Sequence, residues 1–208
     1  RYDFFNKNQI VVKNFPSRED IKLANRKNME KKSKCLSIYI NGWLVDTRGI
    51  PIIYEVAKKL MNNETINFIV AGRLGGKFSK KLVKLNNVKY FGKVSHVKAL
   101  SLYRISDLVF TFYDPNYEIN LYAESNKWGD AICMRVPILV NNKVKTAKYL
   151  RDNDVCFSFD YNDIDSIVEL LLKIVKDKSL LKDKIANLNK LFTEVSYFDD
   201  QMKKVFIK

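Results

Sequence analysis

From residue 35 onward the chain alternates short apolar runs with amphipathic stretches of helical period, and few folds accept that pattern. The apolar runs are Cys35–Asn41 (CLSIYIN), Ile66–Ala71 (INFIVA), Val88–Phe91, Asp107–Tyr113 (DLVFTFY), Ile138–Val140 and Val155–Phe159. Between them lie Ile50–Asn63, Lys77–Leu85, Val97–Ile105, a short helix opening near Ser125 and stopped at Arg135-Val136-Pro137, and Lys145–Arg151. Ile53, Val56, Ala57 and Leu60 recur on one face of the first of these, as a helix packed on a sheet requires. Asp163–Val175, Leu180–Leu191 and Phe198–Ile207 follow as further amphipathic helices. Strands that alternate with helices predict an α/β fold: a Rossmann-like, doubly wound parallel sheet of about six strands with helices on both faces. Ahead of this core, Gln9–Lys13 reads as a short strand, Asn14–Ser17 as a turn and Arg18–Ser33 as a polar, helical or loose connector.

The 208 residues hold 37 lysines and arginines against 23 acidic residues, a net charge of +14. Such an excess attracts nucleic acid, anionic lipid or phosphorylated ligands without choosing among them. The lysines are dispersed, densest at Lys31–Lys34, Lys77–Lys84 and Lys143–Lys148, and none of these runs is Arg-rich or interleaved with aromatics. Nucleic acid is therefore not the expected partner. Cys35, Cys133 and Cys156 are widely spaced and His96 is the single histidine, which argues against structural zinc and a disulfide framework. All three cysteines neighbour apolar residues and are expected to be buried thiols in a reducing compartment. No apolar run reaches the roughly 20 residues of a membrane span. No signal peptide is visible. A start at Arg1 suggests a piece of a longer protein.

If the sheet is parallel, the loops after its strands share one edge and one crevice. Gly42 follows the first strand, with Arg48-Gly49 opening the next helix. Gly72-Arg73-Leu74-Gly75-Gly76 follows the second strand and Gly92-Lys93-Val94 the third. Glycine there admits a close ligand or a positive φ. Arg48, Arg73, Lys93 and Lys127 would put four cations on that edge, a set suited to a pyrophosphate. Ser125, Asn126 and Lys127 open a helix whose first N–H groups and dipole favour an anion. Asp130 is a carboxylate one turn further on. The plainer alternative stays open: Ser125 as an N-cap only, Lys127 solvated, Asp130 facing the dipole. GxGxxG is absent, because Gly72, Gly75 and Gly76 have the wrong spacing, and Gly72–Lys77 is one residue short of a P-loop, with Phe78 in place of its Ser/Thr. His96 has no serine or cysteine partner by motif and reads as a bystander. Asn63-Glu64-Thr65 matches a glycosylation sequon that a cytosolic chain would not use.

Taken in order, these motifs resemble the carboxyl-terminal domain of GT-B-type glycosyltransferases, the large retaining family four group. Tyr39–Gly49 (YINGWLVDTRG) is similar to the family's first strand and glycine loop. Phe68–Gly72 and Val88–Val94 are similar to its second and third strands, and Leu102–Phe110 to its helix-to-strand step. Asn126–Val140 (NKWGDAICMRVPILV) resembles the signature NKxxEAMxxGxPVIV. The resemblance implies a donor domain over 34–195, an interdomain segment or remnant of the first domain over 1–33, and a crossover helix over 196–208. It implies a UDP- or GDP-linked sugar as substrate, no separate cofactor and no protein metal site. Asp130 falls where the family bonds the ribose hydroxyls, Ser125, Asn126 and Lys127 on the loop facing the diphosphate and sugar, Arg48 where a basic residue meets the diphosphate, and Lys93-Val94 at the base-binding backbone; Gly42, Gly49 and Arg73 complete the expected donor-binding residues. Three departures stand out: Trp43 for a frequent arginine, Arg135 for the usual glycine, and Tyr122 for the family's earlier glutamate, with Glu118 and Glu124 out of register.

What the resemblance implies is a hexosyltransferase of bacterial polysaccharide synthesis. Its partners would be a glycan or lipid-linked acceptor and an amino-terminal GT-B domain. It would be cytoplasmic, with peripheral contact at the inner membrane face left open. The competing reading is a non-catalytic or degenerate GT-B-like module that binds anionic membrane or nucleic acid through its basic surface.

Overall fold

In the computed structural model, the structure describes residues 12–27, 29, 31 and 34–206. In chain order the elements are α1 (Arg18–Arg26), β1 (Leu36–Leu44), α2 (Ile50–Lys59), β2 (Ile66–Leu74), α3 (Lys77–Leu82), β3 (Val88–Tyr90), α4 (His96–Tyr103), β4 (Leu108–Thr111), α5 (Glu118–Leu121), α6 (Asn126–Met134), β5 (Ile138–Asn141), α7 (Lys148–Asp152), β6 (Cys156–Phe159), α8 (Ile164–Lys176), α9 (Ser179–Glu194) and α10 (Phe198–Phe206). Short 3-10 turns stand at Asp46–Arg48 and Lys145–Ala147. The six strands form one parallel sheet in the order β3-β2-β1-β4-β5-β6. This is the expected doubly wound arrangement, and its direction of winding reverses between β1 and β4.

The period-two pattern explains the two cores. Tyr39, Val109, Ile138 and Val140 point to one face, where α1, α4, α6 and α9 cover them with Ala24, Leu100, Ala131 and Leu188. Ile38, Ile40, Leu108, Phe110 and Leu139 point to the other, under Ile53, Val56, Leu82, Ile167 and Leu171 of α2, α3 and α8. Among the described residues no helix is long and apolar enough to cross a membrane.

Several expectations need correction. The strand expected over Gln9–Lys13 falls partly outside the described residues, and Val12 and Lys13 are not strand. Residue 207 of the last expected helix is also outside them. The loop expected from Gly42 and the strand end expected at Gly72 are both wrong: β1 and β2 stay paired through Gly42↔Gly72 and Trp43↔Arg73 to Leu44↔Leu74. Gly42 and Gly72 adopt φ of 100° and 142°, and a Cβ on Gly72 would lie 1.8 Å from the Gly42 carbonyl oxygen. Only glycine fits at 72, whereas a Cβ on Gly42 would meet the Lys127 side chain. Cys133 and Cys156 are buried, and burial pushes the Cys133 thiol up to about 12. Cys35 is half-exposed and its thiol donates to the Glu64 carbonyl at 3.0 Å.

Gly49 ends the 3-10 turn at φ 75°, where a Cβ would sit 1.9 Å from the Phe112 carbonyl oxygen. Gly92 has nearly the same φ, 72°, with open space around it. We expect Gly49→Ala to cost about 3 kcal/mol or more, through clash as well as strain. Gly92→Ala carries the strain alone and is expected to cost about 1 kcal/mol. Urea unfolding checks this, and equal shifts of the two midpoints would contradict it.

Candidate functional site

The reversal of winding between β1 and β4 opens a crevice at the carboxyl ends of the strands, where α/β sheets bind ligands. A cleft of about 470 Å³ lies there. Its floor is Asn41, Gly42 and Trp43 of β1 with Ala71 and Gly72 of β2; one side is Val94 and His96, and the other is Asn126, Lys127 and Asp130.

Lys127 stands in the first turn of α6, and its side chain crosses the end of β1. A Cβ on Gly42 would lie 3.1 Å from its Cε and 3.3 Å from its Nζ. The ammonium therefore sits above Gly42, and Lys127 itself belongs to the helix turn whose N–H groups are left unpaired. Ser125 occupies the N-cap position with extended backbone, yet its hydroxyl makes no capping bond. The hydroxyl is buried and has no partner among the described residues. Ser125 is thus not the side-chain cap that its position suggested. Asn41 is also buried; its Nδ2 donates to the Tyr103 hydroxyl at 3.4 Å, while its Oδ1 has no donor among the described residues.

Asp130, one turn along α6, is 7% exposed and faces His96 Nε2 at 3.4 Å. The other imidazole nitrogen is 3.6 Å from Asp20 of α1. The bond to Asp130 raises the His96 pKa above the ordinary 6.5; desolvation opposes it, and the charges of Asp130 and Asp20 add to it. Burial likewise pushes the Tyr103 hydroxyl well up. His96, read as a bystander, is therefore part of the cleft. Its partners are 34 and 76 positions away, and no local motif signals either contact.

The fourth wall was not foreseen. Asn14, Phe15 and Pro16 close the cleft from the amino-terminal side. They press against Gly129, where a Cβ would meet the Asn14 carbonyl oxygen at 2.7 Å. Helix α10 holds the segment in place. Gln201 accepts from the Lys13 N–H at 2.7 Å and donates back to the Lys13 carbonyl at 3.1 Å, and the Phe198 N–H donates to the Pro16 carbonyl at 3.3 Å. Arg18 and Asp200 pair at 2.6 Å on the exposed side of this clasp.

The structure brings Gly42, Val94, Asn126, Lys127 and Asp130 into the cleft. Arg48 stacks on the Tyr113 ring at 4.6 Å and lines a small recess of about 20 Å³ that Lys127, Asn41 and Trp43 also line. Arg48 and Asp130 thus line two neighbouring hollows that share Lys127. Gly49 is a buried pivot behind Arg48. Ser125 lines a neighbouring hollow with Asn14 and Phe15. Arg73 points into a separate groove, and Lys93 is exposed beyond the cleft wall. Of the four cations expected on this edge, Lys127 alone lines the cleft and Arg48 joins it next door. Tyr122 stands exposed, its hydroxyl accepting from Lys145 at 2.6 Å. Arg135 takes the left-handed conformation, φ 55°, that glycine adopts without strain. Its guanidinium stacks 3.8 Å from the Phe192 ring centroid and donates to the Cys133 carbonyl, contacts that offset the strain.

No protein-family model and no curated protein matches the sequence. Solved structures match the fold. The C-terminal domain of a glycosyl transferase group 1 family protein, LpcC, from Francisella tularensis has a TM-score of 0.63 at 18% identity, covering 86% of this chain and 94% of its own. A glycosyltransferase from Rickettsia africae ESF-5 has 0.68 at 14% identity, covering 97% and 57%. The trehalose-6-phosphate protein from E. coli, bound with UDP-2-fluoro glucose, has 0.65 at 11% identity, covering 92% and 49%. The chain thus spans nearly all of the isolated C-terminal domain and about half the length of the two longer proteins. It has the fold of the carboxyl-terminal half of GT-B glycosyltransferases.

The pairing of His96 with Asp130 has a pH signature. A folded pKa raised above 6.5 means that the imidazolium stabilises the fold fully below that value and ceases to do so as pH rises through the raised folded pKa. The melting-temperature gap between wild type and His96→Gln is therefore expected to be widest near pH 5.5 and to narrow toward pH 9. A gap independent of pH would contradict the pairing.

Proposed function

We propose that this chain is the donor-binding domain of a retaining GT-B-type glycosyltransferase. In this reading it binds a UDP- or GDP-linked hexose or derivative whose sugar passes to a glycan or lipid-linked acceptor. The observation that supports it best is the stacking of Lys127 across Gly42 at the mouth of α6, with Asp130 one turn further along the same cleft. The E. coli neighbour was solved with UDP-2-fluoro glucose on this fold, which favours the same ligand class here.

The chemistry follows from charge. Breaking the bond between sugar and diphosphate leaves negative charge on the departing nucleoside diphosphate. The Lys127 ammonium, the first N–H groups of α6 and the adjoining Arg48 are fixed before the reaction, so they meet that charge without reorganising. Asp130 turns Oδ1 toward His96 and lines the cleft; in this reading its carboxylate accepts from the ribose hydroxyls. Val94 backbone flanks the base. Asn41 Oδ1, a buried acceptor without a donor among the described residues, suits a ligand hydroxyl. The acceptor and any general base belong to a partner half that closes over this edge. Tyr122, at the position of the family's earlier glutamate, supplies no carboxylate, so contacts to the donor sugar differ from the family pattern here.

Calorimetric titration of UDP and GDP tests the reading. One of the two is expected to bind, and Lys127→Ala to weaken it by about tenfold or more, the worth of a charge-assisted bond to phosphate. Equal heats for wild type and variant, or no heat for either nucleotide, would overturn it.

A further inference from the structure

Between Thr65 and Ser106 the chain has nine lysines and arginines and no aspartate or glutamate. Five of the nine, Arg73, Lys77, Lys80, Lys81 and Lys84, gather around a groove of about 720 Å³ on the α3 side of β2. The four lysines are spaced i, i+3, i+4 and i+7, so they share one face of α3 and the turn after it, and all are exposed. Among the described residues none of the five pairs with a carboxylate. Like charges at i, i+4 disfavour a helix, and an ordinary solvated face intersperses both signs. Here no described carboxylate offsets the repulsion, and only Lys81 has aromatic faces, Tyr54 and Phe78, near its ammonium.

The groove is not isolated. Trp43 lines both it and the cleft. The indole is 59% exposed and lies over Gly75, where a Cβ would come 2.7 Å from Nε1. A ligand leaving the cleft over Trp43 enters a channel walled by cations.

We propose that this groove holds the outgoing chain of the acceptor, a glycan bearing phosphate groups, whose reacting end is held by the partner half. The proposal rests on the transferase reading above. An acceptor must present one hydroxyl in the cleft while the rest of its chain leaves it, and the groove is the charged exit that adjoins. Its concavity suits a chain rather than the plane of a bilayer. A single exposed aromatic offers a face for a sugar ring, whereas single-stranded nucleic acid is held by successive aromatic platforms. Lysines are mobile point charges, suited to phosphates spaced along a flexible polymer.

Trp128 is buried and Trp43 exposed, so tryptophan emission reports on the groove, and Trp43→Phe assigns the signal. The wild type would be titrated with a phosphorylated mannan oligosaccharide, its dephosphorylated form, phosphatidylglycerol vesicles and a single-stranded oligonucleotide. Lys80→Glu/Lys84→Glu would be compared with a charge-matched control, Lys176→Glu/Lys190→Glu on α8 and α9. The phosphorylated oligosaccharide is expected to bind, and the dephosphorylated form about tenfold more weakly or worse. The groove pair should lose about tenfold or more and the control pair less than about threefold. UDP or GDP affinity should be unchanged in both. Equal losses in the two pairs would overturn the proposal, as would vesicles or oligonucleotide binding through these lysines while the oligosaccharide does not. If a nucleotide binds and the oligosaccharide does not, only the acceptor assignment falls. If neither nucleotide binds the wild type, the donor reading has failed and the acceptor role falls with it.

Discussion

The ammonium of Lys127 rests over Gly42, and the site depends on that contact. It exists because two parallel strands carry glycine at the same register, Gly42 beside Gly72, with no room for a Cβ on Gly72 against the Gly42 backbone. The strands thereby continue past the point where loops were expected and carry a bare floor under the N-terminus of α6. A side chain at Gly42 would lift the lysine from that floor. Charge is otherwise hard to fix at a surface, because a solvated lysine spreads over many rotamers and gains little from any one partner. Here the backbone fixes it.

The remaining walls answer to the same geometry. Asp130 follows Lys127 by one helical turn and is held by His96 from α4, so cation and carboxylate face one cleft from one helix. Asn14–Pro16 close the cleft because Gly129 leaves room for their backbone and Gln201 of α10 anchors the preceding residue. The first and last described segments are thus joined at the rim of the site. A movement of α10 would carry that wall with it.

Much of the fold was legible because buried parallel strands read as short apolar runs, and each of the six appeared within a few residues of its expected place. The start of α6 was legible too, from Ser125 and the polar residues after it. Glycines misled at Gly42 and Gly72, since a paired glycine and a turning one look alike in sequence, and pairing is decided by the other strand. Arg73 and Lys93 were grouped with Lys127 because all follow strands; yet Arg73 lines the groove beside α3, although it shares the alternation of Ile69 and Ala71, and Lys93 is exposed. His96 and the Asn14–Pro16 wall were invisible for one reason: their partners are distant in sequence, and only the folded chain brings them together.

The central claim is that a nucleoside diphosphate lies across Gly42, under the N-terminus of α6, between Val94 and Asp130. Backbone amide NMR of the intact chain on addition of UDP or GDP tests it most directly. The account predicts that the largest shift changes fall at Gly42, Val94, Asn126, Lys127 and Asp130, with α8 and α9 unmoved. Changes centred on the Arg73–Lys84 groove or on the far helices, with those five amides silent, would contradict it.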